Sequence, residues 1–190
     1  MIEVRLHGRA GQGALLFTEV FVAALVREGK WGQGFPMFAG ERRGAPMACN
    51  LRIDDKRVRP RERITNPDAV VILDPVLPYR IPWHDGLKEG GIVIVNSPKT
   101  PDEFFKEVKI PVKLSKLATV DATSIAIKNF GPSPLPITNS AMMGATVKVA
   151  GYVSLDSLID AIKHAWPGRI GEVNAQCAKD AFDQVKIKEF

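Results

Sequence analysis

Apolar and polar residues alternate at the start of the chain, where Ile2, Val4 and Leu6 interleave with Glu3, Arg5 and His7. A period of two places each set on its own face of a strand. From Ala14 to Arg27 the spacing becomes helical, without proline or glycine. Further on, residues 69–73 and 91–95 are continuous apolar runs that end in Asp74-Pro75 and Asn96-Ser97-Pro98. Such runs predict strands buried on both faces. A shorter run over 117–120 ends at Asp121 and leads into a helical stretch over 123–129.

The last third reads as helical. Residues 139–149 form one candidate helix. Ser154 is a suitable N-cap for another over 155–166, where Leu155, Leu158, Ile159 and Ile162 share an apolar face and Pro167-Gly168 stops it. A final helix is predicted over about 171–185. Strands joined by helical crossovers give a parallel sheet. Residues 32–63 interrupt that rhythm with prolines at 36, 46 and 60, glycines at 32, 34, 40 and 44, and a short alternating run over 47–53. They predict a β-rich excursion, a hairpin or antiparallel addition, with a surface loop over 35–44. The expected fold is α/β: a doubly wound, mostly parallel sheet with a β-rich excursion after the first βα unit and a helical C-terminal third, all in one domain over 1–190.

Between the first strand and helix stands Gly8-Arg9-Ala10-Gly11-Gln12-Gly13. A glycine-rich turn at this point leaves backbone N–H groups unpaired at the positive end of a helix dipole, which suits an anion. It is not a P-loop, since Ala14 and Leu15 stand where Lys and Ser/Thr would be needed. Nor is it the dinucleotide fingerprint, since Leu16 replaces the third glycine. A plain tight turn remains the competing reading.

At 190 residues, 45% hydrophobic and 25% charged, the composition is ordinary for a globular chain. No run is long enough to span a bilayer, and Glu3 and Arg5 interrupt any apolar leader. A cytoplasmic protein with no membrane association is expected. Cys49 and Cys177 are far apart and suit apolar core positions rather than a cluster or zinc site. His7, His84 and His164 lack metal-ligand spacing, and His164 falls on the solvated side of its helix. The net charge of +5 is unevenly spread, with Arg42, Arg43, Arg52, Lys56, Arg57, Arg59, Arg61 and Arg63 crowded together. An extended backbone would put Arg57, Arg59, Arg61 and Arg63 on one face. A solvated or partner-facing edge ranks first among the readings of this charge, ahead of nucleic-acid binding and of a phosphorylated cofactor or acidic partner subunit.

Ligands of open α/β sheets bind beyond the carboxyl ends of the strands. Here those ends offer residues 8–13, Asp74, Asn96-Ser97 and Asp121, either as a shared crevice or as caps for the next element. No nucleophile–base pair, nucleophile elbow or paired carboxylates emerge. An anion cradle without catalytic machinery suggests a subunit whose partners carry the chemistry.

The glycine loop, followed by Gly40-Glu41-Arg42-Arg43-Gly44-Ala45-Pro46-Met47, resembles the gamma subunits of 2-oxoacid:ferredoxin oxidoreductases, most closely the pyruvate branch. Asn66-Pro67-Asp68, Asp74, Asn96 and Asn139 with Gly144-Ala145 extend the likeness over nearly the whole chain, while Arg43 departs from a usually smaller residue. The resemblance implies a complex that decarboxylates pyruvate or another 2-oxoacid, transfers the acyl group to coenzyme A and reduces ferredoxin. It implies alpha and beta subunits holding thiamine diphosphate and magnesium, a ferredoxin-like delta subunit holding [4Fe-4S] clusters, and none of these cofactors in this chain. Gly8, Arg9, Gly11, Gln12, Gly13, Arg42, Arg43 and Gly44 are the expected coenzyme A contacts, with no catalytic or metal-binding residue. The alternative is a stand-alone nucleotide- or nucleic-acid-binding module.

Overall fold

The computed structural model describes residues 1–37 and 42–190. The first strand, β1 (Ile2–Arg9), runs through the glycine turn into α1 (Ala14–Arg27). A hairpin follows, β2 (Trp31–Met37) and β3 (Pro46–Asp54), before β4 (Ala69–Ile72) and β5 (Gly91–Asn96). Helix α2 (Pro101–Glu107), β6 (Leu114–Val120) and α3 (Ala122–Phe130) come next. Helices α4 (Asn139–Ala150), α5 (Leu155–Ala165) and α6 (Arg169–Gln184) lead to a short last strand, β7 (Lys186–Glu189).

The strands form one sheet in the order β2-β3-β1-β4-β5-β6-β7. Strands β1, β4, β5 and β6 are parallel neighbours, as the apolar runs predicted. The excursion is an antiparallel addition: β3 pairs with β1, and β2 pairs with β3. Residues 38–41, including the motif's Gly40 and Glu41 and part of the expected loop over 35–44, lie outside the described residues.

Alternation decides which core each strand residue joins. Val4, Leu6, Leu51, Val71 and Ile94 pack with residues of α1, α4, α5 and α6 on one face. Val70, Ile72, Val93 and Val95 pack on the other face against Leu77, Trp83 and Phe104. Strands β4 and β5 thus bury both faces, the physical reason for their unbroken apolar runs. On β1 the second face is polar. The Arg5 guanidinium donates to the Trp83 carbonyl (2.8 Å) and the Asp85 carbonyl (2.5 Å), tying the strand to the loop that carries Trp83.

Helix α4 is buried along almost its whole length, which requires close neighbours. Gly144 provides the approach to α6, because a Cβ there would stand 1.9 Å from the Ala178 carbonyl oxygen. At the start of α5, Ser154 is the N-cap as expected, and its own N–H donates to Glu28 at the end of α1 (2.7 Å).

Several boundaries differ from expectation. Strand β6 begins at Leu114, upstream of the short apolar run, because Ser115 and Lys116 interrupt its pattern. Helix α5 stops at Ala165, and α6 starts two residues earlier than expected, at Arg169. Helix α2 is marked by a Thr100–Glu103 capping box, and β7 is a charged edge strand; both fell outside the periodic segments. The arginine-bearing stretch 57–63 is irregular rather than a strand. Arg52 holds it down by donating to the Pro60 and Glu62 carbonyls.

Candidate functional site

The glycine loop is built around Gln12. This side chain is buried, accepts the Arg9 N–H at Oε1 (2.8 Å) and donates from Nε2 to Asp74 Oδ2 (3.0 Å). Arg9 adds a second donor to the same carboxylate oxygen (3.0 Å) and reaches the Gly44 carbonyl from Nη1 (3.0 Å). The other oxygen, Asp74 Oδ1, accepts the N–H groups of Val76 and Leu77 (3.0 and 3.2 Å). Asp74 at the end of β4 is therefore a brace, fully engaged in holding the loop.

The other strand-end polar residues are also occupied internally. Asn96 donates to the Leu73 carbonyl (2.7 Å) and Thr123 Oγ1 (2.9 Å), while its Oδ1 accepts the Thr123 N–H (3.3 Å). Asp121 caps α3 by accepting the Ser124 N–H (2.9 Å). Of the two readings of these residues, caps and braces describe what the fold does with them.

Residues 42–45 dock onto the loop through the backbone. Ala10 N–H donates to the Ala45 carbonyl (2.9 Å), and Gly44 N–H to the Ala10 carbonyl (2.8 Å). The two motifs separated in sequence are thus one structure. Gly8 is buried, Gly44 lies in the docked turn, and Arg42 and Arg43 are exposed, neither in an ion pair with a described residue. Arg43 arches over Gly11, whose missing Cβ would lie 3.7 Å from Arg43 Cγ and 3.1 Å from Leu135 Cδ2.

Gly13 is the N-cap of α1. It has left-handed φ (83°), offers no side-chain cap, and is followed by no acidic residue in the first turn. The N-terminal N–H groups of a helix have no intrahelical acceptors, and their dipole end carries partial positive charge. Beside it stands Asn139, the first residue of α4 and only 1% exposed. Its Oδ1 accepts the Ser140 N–H (2.8 Å), which fixes the amide so that Nδ2 points at Gly13. A Cβ at position 13 would lie 2.5 Å from that nitrogen. Nδ2 itself has no hydrogen-bond partner among the described residues. A buried, unsatisfied donor beside an uncapped helix N-terminus is costly unless something accepts from it.

Three exposed apolar residues lie near this turn in sequence or through hydrogen bonds. Leu16 on the first turn of α1 (43% exposed), Ile137 between Leu135 and Asn139 (51%) and Ile170 on α6 (60%) stand in the open. Ile170 belongs to the same corner, since its carbonyl accepts from Asn174, which in turn accepts from Ser140. Asn139 marks the helix start in the sequence, but nothing local reveals that its amide faces Gly13.

His7 and the cysteines take structural places. His7 accepts from Arg5 at Nε2 (3.2 Å); burial and the adjacent Arg5 charge hold its pKa down at about 3. His164 is exposed. Cys49 and Cys177 are buried, and burial pushes the Cys177 thiol up to about 12. Among the described residues no three His, Cys, Asp or Glu side chains form a group able to hold a metal ion. None of the described helices is long and apolar enough to cross a membrane.

Fold and loop together define an α/β chain with a donor-lined cradle at its first strand-to-helix turn. The chain belongs to the pyruvate ferredoxin/flavodoxin oxidoreductase family, whose model matches residues 3–184. It is 47% identical to the pyruvate/ketoisovalerate oxidoreductases common subunit gamma of Thermococcus kodakarensis, covering 100% of both chains. It is 44% identical to pyruvate synthase subunit PorC of Methanothermobacter marburgensis, covering 98% of each. The crystal structure of pyruvate oxidoreductase subunit PORC from Thermotoga maritima matches with a TM-score of 0.83 at 34% identity, over 99% of this chain and 98% of that one. These relatives are named as subunits of 2-oxoacid oxidoreductases. The stand-alone nucleotide- or nucleic-acid-binding reading finds no support in these relatives.

Proposed function

We propose that this gamma subunit, a single domain over 1–190, binds or gates the anionic end of coenzyme A and carries no catalytic group of its own. The complex it serves decarboxylates a 2-oxoacid, forms the acyl-coenzyme A and passes electrons to ferredoxin in the cytoplasm. The alpha and beta subunits hold thiamine diphosphate and magnesium, and a ferredoxin-like delta subunit holds [4Fe-4S] clusters. The relatives' names, which join pyruvate and ketoisovalerate oxidoreductases to a gamma subunit, support this setting.

The observation that carries the coenzyme A reading is the unpartnered Asn139 Nδ2 directed at the uncapped N-terminus of α1. The α1 N-terminal N–H groups and Asn139 Nδ2 are donors, and a phosphate supplies acceptors. Gly11 and Gly13 let Leu135, Arg43 and Asn139 pack close against the loop, and Arg43 supplies a guanidinium. Gly8, Arg9 and Gln12 act as the frame, Gly44 joins that frame to the second motif, and Arg42 lies beside Arg43. Exposed Leu16, Ile137 and Ile170 suit the apolar wall of a partner subunit closing over the ligand.

Arg43→Ala leaves the Arg9–Gln12–Asp74 brace untouched. In the assembled complex it should raise the apparent KM for coenzyme A by about tenfold, the loss of one charge-assisted contact. Decarboxylation of the oxoacid with an artificial electron acceptor should stay unchanged. Equal weakening toward all substrates, with dissociation of the complex, would instead make these motifs a subunit interface only.

A further inference from the structure

The arginine stretch is not absorbed by the coenzyme A cradle. Arg57, Arg59 and Arg61 are exposed, and none forms an ion pair with a described residue. Together with Val58 and Gln33 they line a concavity of about 410 Å³. Gln33 lies in the middle of β2, and its Oε1 is shielded from water without a hydrogen-bond partner among the described residues. Strand β2 ends the sheet, so its outward backbone groups pair with no strand among the described residues. At the start of the same strand Trp31 is 48% exposed.

These features ask for different things from a ligand. Three guanidinium groups call for several negative charges. The orphaned Gln33 oxygen calls for a donor, which a phosphate or carboxylate does not supply. The free strand edge calls for a backbone with both N–H and C=O groups. An extended peptide rich in Asp and Glu meets all three needs. We propose that β2 and residues 57–61 dock an acidic, extended segment of another subunit of the oxidoreductase complex. Its backbone lies along β2 and donates to Gln33, while its carboxylates meet Arg57, Arg59 and Arg61. The proposal rests on the chain's place in that complex and is independent of the coenzyme A cradle.

The test uses the assembled complex with a benzophenone amino acid incorporated at position 31. Irradiation and peptide mass spectrometry should find it joined to an Asp/Glu-rich segment of another subunit. Combining it with Arg57→Glu, Arg59→Glu and Arg61→Glu should lower the cross-link yield by about tenfold or more, since like charges then face each other. Raising the salt concentration should weaken it too. Replacing the same three arginines by Lys should retain most of the yield, which shows that lost folding is not the cause. The apparent KM for coenzyme A should be unaffected, separating this outcome from failure of the cradle. A cross-link to a neutral or basic segment, to nucleic acid or to nothing would overturn the proposal. So would a yield indifferent to charge reversal, or displacement of the cross-link by free coenzyme A.

Discussion

At the residue scale, the cradle depends on positions where side chains are either missing or fixed. Gly13 combines left-handed φ with the nearness of Asn139, so a methyl group there is penalised twice. Gly13→Ala should destabilise the chain by about 1–3 kcal/mol, read as a lower denaturation midpoint with an unchanged m-value. His7 titrates in the opposite sense from a salt-bridged histidine. Its ordinary value of 6.5 falls to about 3 in the fold, chiefly through burial and then through Arg5. The unfolded chain therefore binds the proton more readily, and this contribution to stability is lost as pH falls from 6.5 toward 3. His7→Gln keeps an acceptor for Arg5 but cannot titrate. Across that window its stability should fall less steeply with acid, by at most about 1.4 kcal/mol per pH unit. Parallel acid-unfolding curves for the two proteins would refute the assignment. Gly13's place in the turn was legible in the sequence, but the nearness of Asn139 to it and of Arg5 to a buried His7 was not, because both arise from packing.

At the element scale, two contacts set how the helical layer sits on the sheet. Gly144 lets α4 lie against α6 where any Cβ would meet the Ala178 carbonyl. Gly144→Ala forces the helices apart and should cost about 3 kcal/mol or more, well beyond an ordinary surface change. The second contact joins α1 to α5. Partial burial opposes ionisation of Glu28, but the hydrogen bonds from Ser154, Ser157 and Lys30 outweigh it and hold the carboxyl down at about 2. Its stabilising effect is therefore complete above the ordinary value of 4.5 and disappears as pH falls toward 2. Glu28→Gln should lower stability by no more than about 1 kcal/mol at neutral pH, because the group is partly open to water. The difference should fade below pH 4.5, and a constant difference down to pH 2 would contradict it. The sequence announces elements whose burial imposes a period, such as the two-faced strands β4 and β5 and the amphipathic α5. Strand β7 hides because only one side is paired and its residues face solvent.

At the scale of the whole molecule, residues far apart in sequence are brought into one cradle. The excursion brings residues 42–45 back onto the glycine loop, β4 supplies Asp74 and α4 supplies Asn139. The loop, its glycines and its place between strand and helix were legible from local pattern. That Arg9 and Gln12 are tied to Asp74, 65 and 62 positions away, was not, because such a brace leaves no periodic trace. The chain thus presents two surfaces of different chemistry. One is the cradle at the N-terminus of α1 beside Asn139, and the other is an arginine-walled strand edge.

The central claim is that the cradle accepts the phosphate end of coenzyme A. Asn139→Asp tests it with almost no change of shape. A carboxylate beside Gly13 is favourable at a helix N-terminus, so the fold and the assembled complex should persist. The same charge occupies the place meant for the ligand's phosphate. The decisive measurement is the apparent KM for coenzyme A in the complex carrying this substitution. A rise of about tenfold or more, with oxoacid decarboxylation intact, is the predicted result. A complex that assembles normally and keeps the wild-type KM for coenzyme A would contradict the account.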